Sequence, residues 1–297
     1  MTEPSSIDRL PPDDPTPRWR TIELRTSDQA FLSVKDDAYS DRIRCDHPPE
    51  CSPSALATAL VEAAQANGRG RIALFAPAPM RDGLVQAGFV QEATMPGFYA
   101  GTEDCVVLGK AIDPARAELA DPDAVADADA ILKRKTGSAP PEDRPTPATV
   151  RATESDAPAI AELVTRTFDR YPTPTGVPEY VAGLIRDGIP FRIVREGDDV
   201  VACASADLIR SARTAELTDC ATRPDQRGRG LMQGILSDLM DDMRAMGYPT
   251  AFTLARASVP GINLAFWRLG FVWRGQMRSS CRIGGGIEDM NVWSRPI

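Results

Sequence analysis

Across 297 residues there is a single histidine, His47, and that scarcity removes several kinds of chemistry at once. A Ser-His-Asp or Cys-His nucleophile would have to run through His47, and no Gly-x-Ser-x-Gly turn accompanies it. Cys45-Asp46-His47 followed by Cys51 puts three possible ligands within seven residues, but the spacing fits no common zinc motif and lacks an obvious fourth ligand, so no metal is expected. No apolar run approaches the ~20 residues a membrane helix needs. The opening stretch, 1–20, is rich in Pro and Asp without an apolar centre, so it reads as a disordered start and not as a signal peptide. Positive charge is also short: a net charge of −8 argues against nucleic acid or an anionic membrane as a partner. The six cysteines are scattered, which reads as a reduced, cytoplasmic chain and not as a disulfide framework.

What is present is the composition of a globular protein, 42% hydrophobic and 26% charged, long enough for two domains. Four prolines between 140 and 147 mark an extended, semi-rigid linker, preceded by a helix that starts at Asp121-Pro122. The expected layout is a disordered start (1–20), an N-terminal α/β domain (21–112), a helix with the Pro-rich linker (113–147) and a second domain (148–297). In the first domain, Ser52 caps a helix over 53–67, and a strand over 71–76 is followed by a short helix and Gly88-Phe89-Val90. The second domain repeats that last order, ending at Gly270-Phe271-Val272. The first domain therefore reads as a degenerate partial copy of the second.

The most informative segment is 214–246. A strand, Ala215-Glu216-Leu217-Thr218-Asp219-Cys220-Ala221-Thr222, leads through Arg223-Pro224-Asp225-Gln226 into Arg227-Gly228-Arg229-Gly230-Leu231-Met232, which opens a long amphipathic helix. Two glycines let the backbone turn tightly, and the helix start adds unpaired N–H donors and the positive end of its dipole, so a pyrophosphate-like anion is favoured there. Neither a Lys-Ser/Thr phosphate loop nor a dinucleotide fingerprint is present. A solvated turn capping an ordinary helix is the plain alternative. Upstream, Ser155 is expected to cap a helix, a second helix spans 178–187, and Gly197-Asp198-Asp199 joins two strands. Gly68-Arg69-Gly70 precedes a strand instead of opening a helix, so no second coenzyme is expected in the first domain.

Strand, glycine loop, helix, strand, helix, Gly-Phe, strand is an order that resembles the GNAT acyltransferases. Within them, Asp219-Cys220-Ala221-Thr222, Arg227-Gly228-x-Gly230-Leu231-Met232, Pro260-Gly261-Ile262-Asn263 and the stretch from Gly284 to Trp293 resemble the β-lysine N-acetyltransferases. Arg42-Ile43-Arg44 and the segment from Gly88 to Gly101 agree, so the likeness covers about 35–297. Departures are Ser279-Ser280 and Trp293-Ser294-Arg295, where the family tends to carry paired asparagines and Trp-Tyr-Lys.

The resemblance implies an α/β GNAT fold with a mixed sheet, acetyl-CoA as cosubstrate, and a small-molecule amine as acceptor, with homodimerisation open. The implied reaction transfers acetyl to the terminal amine of β-lysine, giving Nε-acetyl-β-lysine, a compatible solute. Alternatives are another small amine or a protein lysine as acceptor, or a silent acyl-CoA-binding module. A lysine-type ammonium must lose a proton before attack, so a carboxylate base is sought. Glu216 is the first choice and Asp219 the second, or a holder of the substrate ammonium. Cys220, Ala221 and Thr222 are expected at the pantetheine arm and the thioester carbonyl. Arg227, Gly228, Arg229, Gly230, Leu231 and Met232 are expected at the pyrophosphate, and Asn263 at cofactor or substrate unless it merely caps a helix. Tyr171, in the loop where GNAT enzymes line the acceptor site, joins Glu288 and Asn291 as substrate-side candidates. Phe266-Trp267 stands where many relatives place a tyrosine acid, a loss a thiolate leaving group tolerates.

Overall fold

The computed structural model of the protein describes residues 6–136 and 148–297; the Pro-rich linker at 140–147 and the first five residues of the expected disordered start lie outside the described residues. Among the described residues thirteen strands form one continuous sheet, and its order shows two copies of one plan back to back.

The N-terminal copy runs β1 (Arg20–Arg25), β2 (Phe31–Asp37), β3 (Arg42–Cys45), α1 (Pro53–Ala66), β4 (Arg71–Pro77), α2 (Arg81–Gln86), β5 (Val90–Tyr99) and β6 (Glu103–Ala111). Helix α3 (Pro122–Thr136) follows and packs on the second copy. That copy begins with β7 (Val150–Arg151), α4 (Ala157–Thr167) and α5 (Pro178–Arg186). It continues with β8 (Phe191–Glu196), β9 (Asp199–Ile209), β10 (Thr214–Thr222), α6 (Leu231–Ala245), β11 (Thr250–Arg256), α7 (Pro260–Arg268), β12 (Val272–Ile283) and β13 (Gly286–Pro296).

The spatial order β1-β2-β3-β4-β6-β5 is repeated by β8-β9-β10-β11-β13-β12. Among the described residues, one helix in each copy connects its only parallel pair, β3 with β4 through α1 and β10 with β11 through α6. The Gly-Phe-Val signatures coincide in detail: Gly88 and Gly270 have φ of 84° and 76°, Phe89 and Phe271 are buried, and Val90 and Val272 are exposed. The extra elements of the second copy, β7, α4 and α5, have no counterpart in the first.

Local chemistry explains most boundaries. Ser52 accepts the Ala55 N–H and Pro53 opens α1. The first turn before α4 differs from expectation: Thr153 and Asp156 form a reciprocal capping box, and Ser155 lies inside it. Helix α6 buries Leu231, Ile235, Leu236, Leu239, Met240 and Met243 on the sheet and stops at Gly247, whose φ is 80°.

The copies meet where β5 pairs β12 at Gly275 and Ala93. A Cβ on Gly275 would lie 1.9 Å from the Glu92 carbonyl oxygen, so only glycine permits this approach. Phe75, Met95 and Phe98 of the first copy share an apolar core with Phe252, Met277 and Val292 of the second. Polar grips complete the seam: Arg116 donates to the Ser279 and Ser40 carbonyls, Arg42 to the Ser280 carbonyl and Arg282 to the Tyr39 carbonyl. Ser279-Ser280, the departure from the family pattern, therefore sits buried at the seam.

Within the expected disordered start, Pro12 and Arg18 are buried, although much of the stretch around them is exposed. The fully buried Arg18 guanidinium donates to the Pro11 and Thr16 carbonyls at 2.6 Å each and stacks on Tyr39. Tyr39 donates to the Leu10 carbonyl, and the Gly176 N–H donates to the Pro12 carbonyl. These bonds go to backbone carbonyls, which any residue supplies, so composition could not announce them.

Candidate active site

Strands β10 and β11 are paired only over Thr214–Glu216 and Thr250–Phe252. Beyond that rung they part: β11 stays with β13 as far as Arg256, while β10 stays with β9. The divergence begins beside a bulge between Thr218 and Ala221, where Asp219 adopts φ of 52°. Asp tolerates that left-handed conformation better than most side chains.

Asp219 is buried, and its carboxylate accepts the Ser205 hydroxyl at 2.6 Å and the Thr175 hydroxyl at 3.4 Å, with the Tyr171 phenol as a further partner. Burial pushes its carboxyl up, and these hydroxyls offset only part of that. Three donors surround the Asp219 carboxylate, which thereby ties the Tyr171–Thr175 loop to the bulge. Cys220 follows, half-buried; burial next to Asp219 pushes its thiol well up, which keeps it protonated. Ala221 and Thr222 resume pairing with β9.

Glu196, Arg223, Asp225, Gln226 and Arg229 knit the loop after β10 together. Gly228 and Gly230 have φ of 81° and 78°, and a Cβ on Gly228 would meet nothing within 4 Å. The loop is thus open on that side, beside Arg227, which is exposed, and the first N–H groups of α6 at Leu231 and Met232. This is a cradle suited to a phosphate-bearing ligand. By contrast α1 has its cap filled by Ser52 and opens on a proline.

Glu216 occupies the last β10/β11 rung and lines a cavity of about 310 Å³. Both copies wall it: Trp19, Lys35, Asp37, Arg42 and Arg44 come from the first, and Tyr171, Tyr180, Ser205, Asp207, Thr218 and Asp219 are among those from the second. Arg44 reaches across to Glu216 at 3.3 Å and holds Asp46 at 2.5 Å. Burial raises the Glu216 carboxyl, the Arg44 guanidinium opposes this, and Asp207 and Asp46 add to the rise, leaving it above the ordinary glutamate value. Asp46 goes the other way: burial works against its charge, but Arg44 and Lys35 outweigh it and take the carboxyl down to about 2. The 45–47 segment, weighed above for metal, thus gives Asp46 to an ion pair. His47 rests on the Tyr99 ring, and among the described residues no cluster of His, Cys, Asp and Glu could hold a metal ion.

The remaining candidates are apart from this cavity. Asn263 is fully buried inside α7, whose N-cap is Val259; its amide donates to the Arg256 and Val259 carbonyls and accepts from Asn291 and the Trp293 indole. Asn291 also accepts from Trp273 and Gln276. Glu288 pairs with Arg256 and accepts from Ser258. These side chains fasten β11, α7 and β13 together, and none lines the cavity. Lys35, Arg44, Asp46 and Asp207 were missed by sequence reasoning. Arg42-Ile43-Arg44 was visible as a family likeness, but nothing local indicated that Arg44 reaches a strand 172 positions away.

A splayed parallel strand pair, with a glycine loop opening a helix beside the splay, defines an acyltransferase of the GNAT class. Residues 157–271 match the acetyltransferase (GNAT) family. The chain is 31% identical over 266 residues to a β-lysine N(6)-acetyltransferase of Methanosarcina mazei, covering 81% of this chain and 96% of that one. It is 26% identical to the N-acetyltransferase YodP of Bacillus subtilis, over 88% and 94% of the two chains. A solved ribosomal-protein-alanine N-acetyltransferase from Brucella melitensis overlays 51% of this chain and all of its own, at 18% identity and a TM-score of 0.45. The protein is an N-acetyltransferase and belongs to the β-lysine N-acetyltransferase family of GNAT enzymes. No described helix is long and apolar enough to cross a membrane.

Proposed function

We propose that this protein acetylates the terminal amine of β-lysine, with acetyl-CoA as donor. The observation that carries the reading is the placement of Glu216: it stands at the last rung before β10 and β11 part, facing a closed-in cavity, with the glycine loop at the far end of the same strand. The Methanosarcina relative supplies the name of the acceptor.

Acetyl-CoA, when bound, supplies a thioester. The residues present suit it: the α6 N-terminus and the open side of Gly228 would take the pyrophosphate, and the unpaired edge of Thr218–Thr222 would take the pantetheine arm. On the acceptor side, neutralising an ammonium of pKa near 10.4 at pH 7 costs about 4.6 kcal/mol. Glu216 takes that proton directly or through a water, and its raised carboxyl value makes it a better base than an ordinary glutamate. Backbone N–H groups after the bulge polarise the thioester carbonyl. Asp219 fixes the bulge and the Tyr171 loop. Steady-state thiol release with acetyl-CoA and a panel of β-lysine, α-lysine, linear diamines and a lysine peptide tests the reading. Highest kcat/KM for β-lysine is expected; turnover confined to another amine overturns it.

A further inference from the structure

The duplicated plan places an opposite charge pair at matching positions of the two copies. In each copy the third rung of the parallel pair carries a charged residue, Arg44 opposite Ala73 and Glu216 opposite Phe252. Each has a like-charged partner directly across its antiparallel neighbour: Lys35 faces Arg44 on β2 and β3, and Asp207 faces Glu216 on β9 and β10. Like charges opposed in this way destabilise a sheet unless something of opposite sign lies between them. All four line the same cavity.

The inner members, Arg44 and Glu216, neutralise each other across the cavity at 3.3 Å. The outer members keep capacity to spare. Asp207 is exposed, and its carboxylate makes no hydrogen bond or ion pair among the described residues. Lys35 has three donors and one charged partner, Asp46 at 3.5 Å, with Trp19 beside its ammonium. The cavity is therefore cationic at its N-terminal wall and anionic at its C-terminal wall.

We propose that Lys35 and Asp207 are the specificity-determining residues for the acceptor, which is a zwitterion: Lys35 takes its carboxylate and Asp207 takes the ammonium that is not acetylated. This rests on the proposed acetylation of β-lysine and assigns the N-terminal copy the task of selecting amino acids over plain amines. Two analogues separate the two contacts: 1,4-diaminopentane lacks the carboxylate of β-lysine, and 6-aminohexanoate lacks its second ammonium.

The experiment measures kcat and KM for all three acceptors with the wild-type chain, Lys35→Met and Asp207→Asn. A lost hydrogen bond to a charged group raises KM about tenfold. Lys35→Met is expected to raise KM for β-lysine and 6-aminohexanoate and to leave 1,4-diaminopentane unchanged, with Lys35→Arg restoring most of the loss. Asp207→Asn is expected to raise KM for β-lysine and 1,4-diaminopentane and to leave 6-aminohexanoate unchanged. In both variants kcat moves less than KM. Equal effects on all three acceptors, or none, overturn the inference. A wild-type chain that turns over the analogues but not β-lysine overturns the substrate reading alone, and the crossed KM pattern of the two analogues still decides the charge assignment.

Discussion

Arg44→Met removes the one cation that joins Glu216 to Asp46 and thereby tests how the two copies depend on each other. At 3.3 Å and an effective dielectric near 20, the Arg44–Glu216 attraction is about 5 kcal/mol before water enters. The three side chains are 12–18% exposed, so solvent recovers part of this but far from all. Breaking a buried pair by deleting one partner typically costs 3–5 kcal/mol, because the remaining charge stays behind. A loss of about 3 kcal/mol at pH 7 is expected from urea unfolding, and Met, which fills a similar volume over Phe75, limits the packing contribution. The pH dependence carries the sharper test. Arg44 holds both carboxyls below where burial alone would place them, so without it both folded-state values rise. A carboxyl with a raised folded value is most stable protonated, so the deficit is largest at neutral pH and shrinks as pH falls through the raised values. The acid limb of kcat/KM, set by protonation of Glu216, moves to higher pH. An acid limb that stays put or moves down, or a stability deficit equal at pH 7 and pH 4, would refute the coupling.

Glu216→Gln keeps the shape and removes the base, so turnover at pH 7 falls by about 10²–10⁴ and recovers in part towards pH 10, where the amine sheds its proton unaided; a flat pH profile with wild-type turnover removes Glu216 from the chemistry. Gly228→Val forces a β-branched residue to φ of 81°, at about 1–2 kcal/mol, with no clash to blame; calorimetry should show coenzyme A binding weakened about tenfold, and less so for Gly228→Asn. Gly275→Ala pushes a methyl group to 1.9 Å from the Glu92 carbonyl oxygen across the seam, where both neighbours are backbone; the expected loss exceeds about 3 kcal/mol, and a variant that unfolds at the wild-type urea midpoint contradicts the seam geometry.

Much of the fold was legible because it rests on short-range physics. Periodicity over 231–246, the stop at Gly247 and the order of elements from 214 to 272 follow from patterns within a few turns of chain. The repeated Gly-Phe-Val carried the duplication, because a left-handed glycine followed by a buried Phe is a local requirement at both sites. The tight turn at Gly228 and Gly230 was legible for the same reason: both glycines adopt the positive φ that such a turn demands. For Asn263, Glu288 and Asn291 no such local requirement exists. A polar residue in such a motif has the same identity whether it meets ligand or saturates its own neighbours, and here Asn263 spends both its donors and its acceptor on β11, α7 and β13.

By itself, then, the sequence determined the class of chemistry and the glycine turn that opens α6, since each depends on residues close together in the chain. Only the tertiary structure brought the charged residues of the cavity together. Lys35 and Arg44 lie more than 160 positions from Asp207 and Glu216, and it is sheet register in two copies, meeting through Gly275, that turns those separate charges into the two walls of one cavity.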